Sequence, residues 1–63
     1  MSNQQKTQEA YDTIISISLQ TTTLPSDIRD AEELVKDVNY KHLTKDEIEV
    51  LEHSLEEISE KVV

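Results

Sequence analysis

Glutamates near the C-terminal end are the residues of this chain whose type and spacing could form a charged binding surface. Asp and Glu number 14 against 6 Lys and Arg, which gives a formal net charge of -8. Four glutamates recur at intervals of three and four residues: Glu49, Glu52, Glu56 and Glu60. On an α-helix this spacing places them on one face. We expect an acidic stripe, called here the acidic ridge, with few cations to neutralise it.

Two residues of other types accompany the acidic ridge. Val50 falls away from the apolar stripe of its segment, and His53 is four residues from both Glu49 and Glu57. We interpret Val50, His53 and the acidic ridge together as a surface that contacts a partner. The alternative is an ordinary solvated helix face that keeps a small protein in solution and exposes a single apolar residue, which is common.

Catalytic, metal and cofactor sites are not expected. One His and two carboxylates on a single exposed helix make a weak chelate. The residue three before His53 is Val50, so the Glu-x-x-His pattern of di-iron bundles is missing. Carboxylates on exposed faces lack the burial that raises a pKa toward neutrality. No serine is placed with a base and an oxyanion donor. We therefore expect a protein that is not an enzyme.

Composition excludes several further classes. The chain contains no Gly and no Cys, so phosphate-binding glycine loops, disulfides and thiolate chemistry are ruled out. No apolar run approaches the roughly 20 residues of a membrane span, and no signal peptide is recognisable. The excess of carboxylates argues against direct binding of nucleic acid, whose phosphates they repel. We expect a soluble cytoplasmic protein.

The C-terminal segment is predicted to be a helix over residues 44–61. Thr44 and Glu47 fit a capping box, in which each side chain bonds the backbone of the other residue. The apolar residues follow with 3-4-3-4 spacing, which forms a narrow helical stripe. They are Ile48, Leu51, Leu55, Ile58 and Val62. We expect Leu55, in the middle of this stripe, to be buried.

A second helix is predicted over residues 26–39. Pro25 ends the preceding segment, Ser26 is expected to be the N-cap, and Asn39 is expected to end the helix in a left-handed conformation. The apolar arc of this helix comprises Ile28, Ala31, Leu34, Val35 and Val38. Only residues 40–43 connect it to the last helix, which favours an antiparallel helical hairpin.

The N-terminal segment is ambiguous, because residues 13–20 alternate as a β-strand would. We favour a helix, with a capping box at 2–5, since the apolar residues then separate onto one side with only Ser18 intruding. They are Ala10, Tyr11, Ile14, Ile15, Ile17 and Leu19. This arc is wide, so the first helix is either sunk deeply between the others or covered by another chain. The expected fold is all-α, a single domain over 1–63, with three short helices and the first packed across the hairpin.

Two hypotheses for function follow from this surface. The first is a small acidic protein that binds and regulates or inhibits a protein partner carrying a basic patch, in one version by mimicking nucleic-acid charge. Small acidic helical chains are typical of phage and mobile-element proteins that disable a host factor. Tyr11 and Tyr40 are further anchor candidates. The alternative is a homo-oligomeric assembly module, or a small subunit of a larger complex.

Overall fold

Three α-helices make up the fold. The structure is a computed structural model that describes residues 3–63, with side chains from residue 4 onward. The helices are α1 (Asn3–Ser18), α2 (Pro25–Lys36) and α3 (Lys45–Glu60), with a 3₁₀ turn at Tyr40–His42. Residues 13–18 are therefore helical, and the three-helix, all-α prediction is confirmed. The expected capping box at 2–5 extends beyond the described residues.

Helix α1 is the central element. It packs against both α2 and α3, while those two contact each other less. The core draws on all three helices and on the start of the α2–α3 connection. Its buried apolar members are Ala10, Tyr11, Ile14, Ile17, Ala31, Val38, Leu51 and Ile58. Most of the wide apolar arc of α1 is thus covered within the chain, as expected for a first helix that lies between the other two, with Ile15 half-buried.

Helix α3 begins as predicted. The Thr44 hydroxyl accepts a hydrogen bond from the Glu47 amide at 3.2 Å, and the Glu47 carboxylate accepts one from the Thr44 amide at 2.9 Å. Leu51 is completely buried. Leu55 is less buried than predicted: it packs against the core but is only half-buried, at the border between α2 and α3. Val62 follows the end of the helix and is exposed.

Helix α2 differs from the prediction at both ends. Leu24 is the N-cap, and its amide donates to the Asp27 carboxylate at 2.9 Å. Ser26 lies inside the first turn, because the fixed φ of Pro25 suits the first helical position. The helix ends at Lys36, before the predicted residue 39, and its C-cap has right-handed helical angles. No described residue has a positive φ, so the predicted left-handed stop is wrong.

Asn39 has a different role from the one predicted. Its side-chain oxygen accepts a hydrogen bond from the Lys41 amide at 3.0 Å and caps the 3₁₀ turn. Its own amide donates to the hydroxyl of Thr7 at 2.9 Å. Thr7 is buried, so this bond fixes the α2–α3 connection against the N-terminal half of α1.

The C-terminus is tied to the α1–α2 loop, which the sequence did not indicate. Thr23 is completely buried, and its hydroxyl donates to the Ile58 carbonyl at 2.7 Å. A parallel β-bridge pairs Thr23 with Val62. The Lys61 ammonium group also donates to the Ser18 carbonyl at 2.6 Å. These bonds hold the end of α3 across the end of α1.

The end of α1 places two side chains differently from the predicted arc. Leu19 is 78% exposed because the helix ends at Ser18, so its assignment to the apolar side is wrong. Ser18 is buried instead, and its hydroxyl donates to the Ile15 carbonyl at 2.6 Å. This hydrogen bond satisfies the hydroxyl and removes most of the cost of burying it.

Candidate surface for a protein partner

The acidic ridge lies on the side of α3 that faces away from the core. Glu49 and Glu56 each precede a fully buried residue, Leu51 and Ile58, by two positions. Two positions correspond to about 160° around a helix, so these carboxylates point nearly opposite to the core. Glu52 and Glu60 are also exposed, and all four residues of the acidic ridge face solvent.

The acidic ridge has no cation bound to it in the described part of the chain. Both ion pairs formed by α3 and its C-cap involve Glu57, which lies outside the ridge. The carboxylate of Glu57 is 3.4 Å from His53 Nε2 and 3.5 Å from Lys61 Nζ. The His53 contact is an ion pair only when the imidazole is protonated. The ridge carboxylates therefore present unneutralised charge to solvent. The sequence predicts this, because few Lys residues lie near these glutamates.

Val50 and His53 extend the acidic ridge on one flank. Val50 lies about 100° around α3 from Glu49, on the side away from Glu52, and is 46% exposed. The His53 side chain lies between Val50 and the ridge and is 73% exposed. All six residues predicted for partner contact are therefore on one solvent-facing surface of α3, and none is in the core.

The two tyrosines proposed as anchors have different environments. Tyr11 belongs to the core, so the idea that it reaches into a partner is wrong. Burial raises the pKa of the Tyr11 phenol, and the nearby carboxylates of Glu47 and Asp12 raise it further. Tyr40 lies in the 3₁₀ turn and is exposed, as an anchor would have to be.

Two grooves between helices were not predicted. The larger, of about 300 Å³, lies between α1 and α2. It is lined by Thr13, Ile17, Asp30, Glu33, Leu34 and Asp37. The smaller, of about 170 Å³, lies between α2 and α3 and has mostly aliphatic walls. Periodicity identifies the apolar arcs of α2 and α3, but the angle between two helices decides whether those arcs meet or leave a cleft.

Among residues 3–63, no three His, Asp or Glu side chains converge in an arrangement that could hold a metal ion. Within the same residues, no helix has both the length and the apolar character needed to cross a bilayer.

Comparisons with protein-family models, with curated proteins and with solved structures found no match to this chain. The surface of α3 and the two grooves are therefore the features from which a function can be inferred.

Proposed function

We propose that this protein binds a protein partner through the exposed face of α3 and regulates or inhibits it by covering a basic surface. The observation that supports this proposal best is the acidic ridge, whose four carboxylates are exposed and carry no ion pair with the described residues. Like charges spaced three and four residues apart repel and slightly destabilise a helix. A helix that served only folding would intersperse lysines among them.

In this proposal the carboxylates and the apolar residue have separate roles. The acidic ridge attracts a basic patch and orients the two proteins during their encounter. Val50 fills a pocket on the partner, and His53 lies at the edge of the contact. The basic patch could be one that otherwise holds nucleic acid, in which case the ridge stands in for phosphates. In this proposal the protein is not an enzyme, needs no cofactor and acts in the cytoplasm. Phage and mobile-element proteins that disable a host factor act in this way.

The homo-oligomer alternative has weaker support. It rested on the wide apolar arc of α1, and the chain itself covers most of that arc, Leu19 at its end being exposed. A second copy would also bring a like-charged acidic surface toward the first, because each chain carries a net charge of -8. We therefore favour a different, positively charged partner.

The experiment begins with a partner captured from cell extract on the immobilised full chain. The affinity of the purified pair is then measured for wild type and for the double variant Glu52→Lys/Glu56→Lys. Both residues are exposed, so the fold should be retained. We expect the affinity to fall by tenfold or more, since rim charges that become repulsive cost on the order of 1–2 kcal/mol.

A matched control separates the acidic ridge from net charge. Glu33→Lys/Asp37→Lys makes the same change in charge at the same spacing, at two exposed residues in the last turn and C-cap of α2 that line the α1–α2 groove and lie outside the acidic ridge. We expect this variant to bind nearly as well as wild type. If the two variants lose affinity equally, only net charge matters and the proposal is wrong for α3.

A further inference from the structure

We infer that the cleft between α2 and α3 receives an aliphatic stripe from a helix of the partner whose flanking residues are Lys or Arg. This inference rests on the proposed function and adds the recognition element that the acidic ridge lacks. Charge steers an encounter, but buried apolar anchors supply most of the affinity of an interface.

The cleft has the form of a shallow aliphatic slot. It is lined by Ile28, Ala31, Glu32, Val35, Leu55, Ile58 and Ser59. Ala31 and Ile58 are almost completely buried, whereas Ile28, Val35 and Leu55 are only half-buried. The first two therefore belong to the floor, and the other three present apolar surface that the chain itself leaves uncovered.

The α3 edge of the cleft continues directly into the acidic ridge. Glu52 precedes Leu55 by three residues, and Glu56 precedes Ser59 by three. Residues at this spacing are neighbours on a helix surface. An apolar group in the cleft would therefore have two unpaired carboxylates beside it, and the cleft and Val50 lie on opposite flanks of the ridge.

The α2 edge is also acidic where it meets the cleft. Glu32 lines the cleft and forms no ion pair with a described residue. The exposed cations Arg29 and Lys36 do not line the cleft, but they are surface neighbours of Glu32 at three- and four-residue spacing and offset its charge. The α3 edge, with Glu52 and Glu56, is therefore the one that favours a positively charged occupant.

The size and charge of the cleft select a partner helix over other occupants. Its volume of about 170 Å³ is below the roughly 300 Å³ at which small-molecule pockets begin. A slot between two helices suits side chains that repeat every three or four residues along a helix. A second copy of this chain would place acidic surface against acidic surface, which a helix bearing Lys or Arg avoids.

Two synthetic peptides of identical composition test the inference directly. One carries its leucines on a single helical face with lysines elsewhere, and the other distributes the same leucines around the helix. Each is titrated into the isotope-labelled full chain and followed by NMR. We expect the single-face peptide to bind about tenfold tighter, which corresponds to burial of one aliphatic side chain. The affected amides should cluster at Val35 and Leu55.

Substitution at the rim provides the matched variants. Ser59→Arg places a long cation across the cleft from an exposed position, whereas Ser16→Arg makes the same change on an exposed part of α1 that does not line the cleft. We expect Ser59→Arg to abolish the tenfold preference for the single-face peptide. Ser16→Arg, which has the same net charge, should preserve it.

Several results would overturn the inference. Equal binding of the two peptides would mean that charge alone attracts them, and perturbed amides confined to the α1–α2 groove would place the site there. Self-association of the wild-type chain that Ser59→Arg abolishes would show that a second copy covers the cleft. These failures are distinct from failure of the proposed function, which is decided by how Glu52→Lys/Glu56→Lys affects the captured partner.

Discussion

Buried hydroxyl groups fix how the ends of the helices meet. Thr7, Ser18 and Thr23 are all buried, and each makes a hydrogen bond with the backbone. Such bonds let polar residues lie in the core without a large desolvation penalty. They also explain why a core built almost wholly of aliphatic side chains has a defined arrangement at both ends of α1.

Thr23 should contribute measurably to stability. Thr23→Val keeps the shape of the side chain but removes the donor to the Ile58 carbonyl. We expect the free energy of unfolding to fall by about 1–2 kcal/mol, the usual effect of losing a buried hydrogen bond. Denaturant titration measures this value. Thr22→Val, at an exposed neighbouring position, is the control, and equal stability of the two variants would contradict the role assigned to Thr23.

Tyr11 should make the fold sensitive to alkaline pH. Its pKa is raised above the ordinary value of 10.0 in the folded chain, first by burial and then by Glu47 and Asp12. The unfolded chain therefore loses this proton at lower pH than the folded chain does. Stability linked to Tyr11 is complete below about pH 10 and falls as the pH rises above it.

The variant Tyr11→Phe isolates this titration. It removes the ionisable group and keeps the ring. Between about pH 9 and 11, the range around the ordinary tyrosine pKa, its free energy of unfolding should therefore decline less than that of wild type. Chemical denaturation at a series of pH values gives both curves. Parallel curves for wild type and Tyr11→Phe would show that the phenol has the same pKa in both states.

At the scale of elements, the sequence predicts a helix start correctly where residues close together in the chain determine it. The start of α3 was predictable because Thr44 and Glu47 bond each other's backbone without help from the rest of the chain. The start of α2 was not, because Ser26 is the commoner capping type and Leu24 has no side-chain oxygen to accept a hydrogen bond. Leu24 becomes the N-cap because Asp27 accepts a hydrogen bond from its amide and Pro25 fits the first turn.

How deeply each side chain of α3 is buried depends on where α1 and α2 lie. A comparison of Leu51 with Leu55 tests this dependence. Leu51 is completely buried in the core, whereas Leu55 borders the α2–α3 cleft. We expect Leu51→Ala to cost on the order of 2–5 kcal/mol and Leu55→Ala clearly less, because a half-buried side chain leaves a smaller cavity. Thermal and denaturant unfolding measure both. A larger loss for Leu55→Ala would mean that the cleft is closed in solution.

At the scale of the molecule, the fold is thin. The Cα atoms span 35 × 23 × 14 Å, and the shortest dimension is close to that of two packed helix layers. Such a body favours binding by its surfaces over enclosure of a ligand. The exposure of the predicted contact residues could be inferred from helical spacing alone. The α2–α3 cleft could not, because it depends on how far apart the two helices lie.

The most direct test of the central claim is the rate at which the protein associates with its captured partner at two salt concentrations. If the acidic ridge steers the encounter, association of the wild-type chain slows as salt rises. Glu52→Lys/Glu56→Lys should associate more slowly than wild type at low salt and respond much less to added salt. Glu33→Lys/Asp37→Lys should resemble wild type. If the ridge variant instead associates as fast as wild type, with the same salt dependence, the acidic ridge is only a solvated helix face.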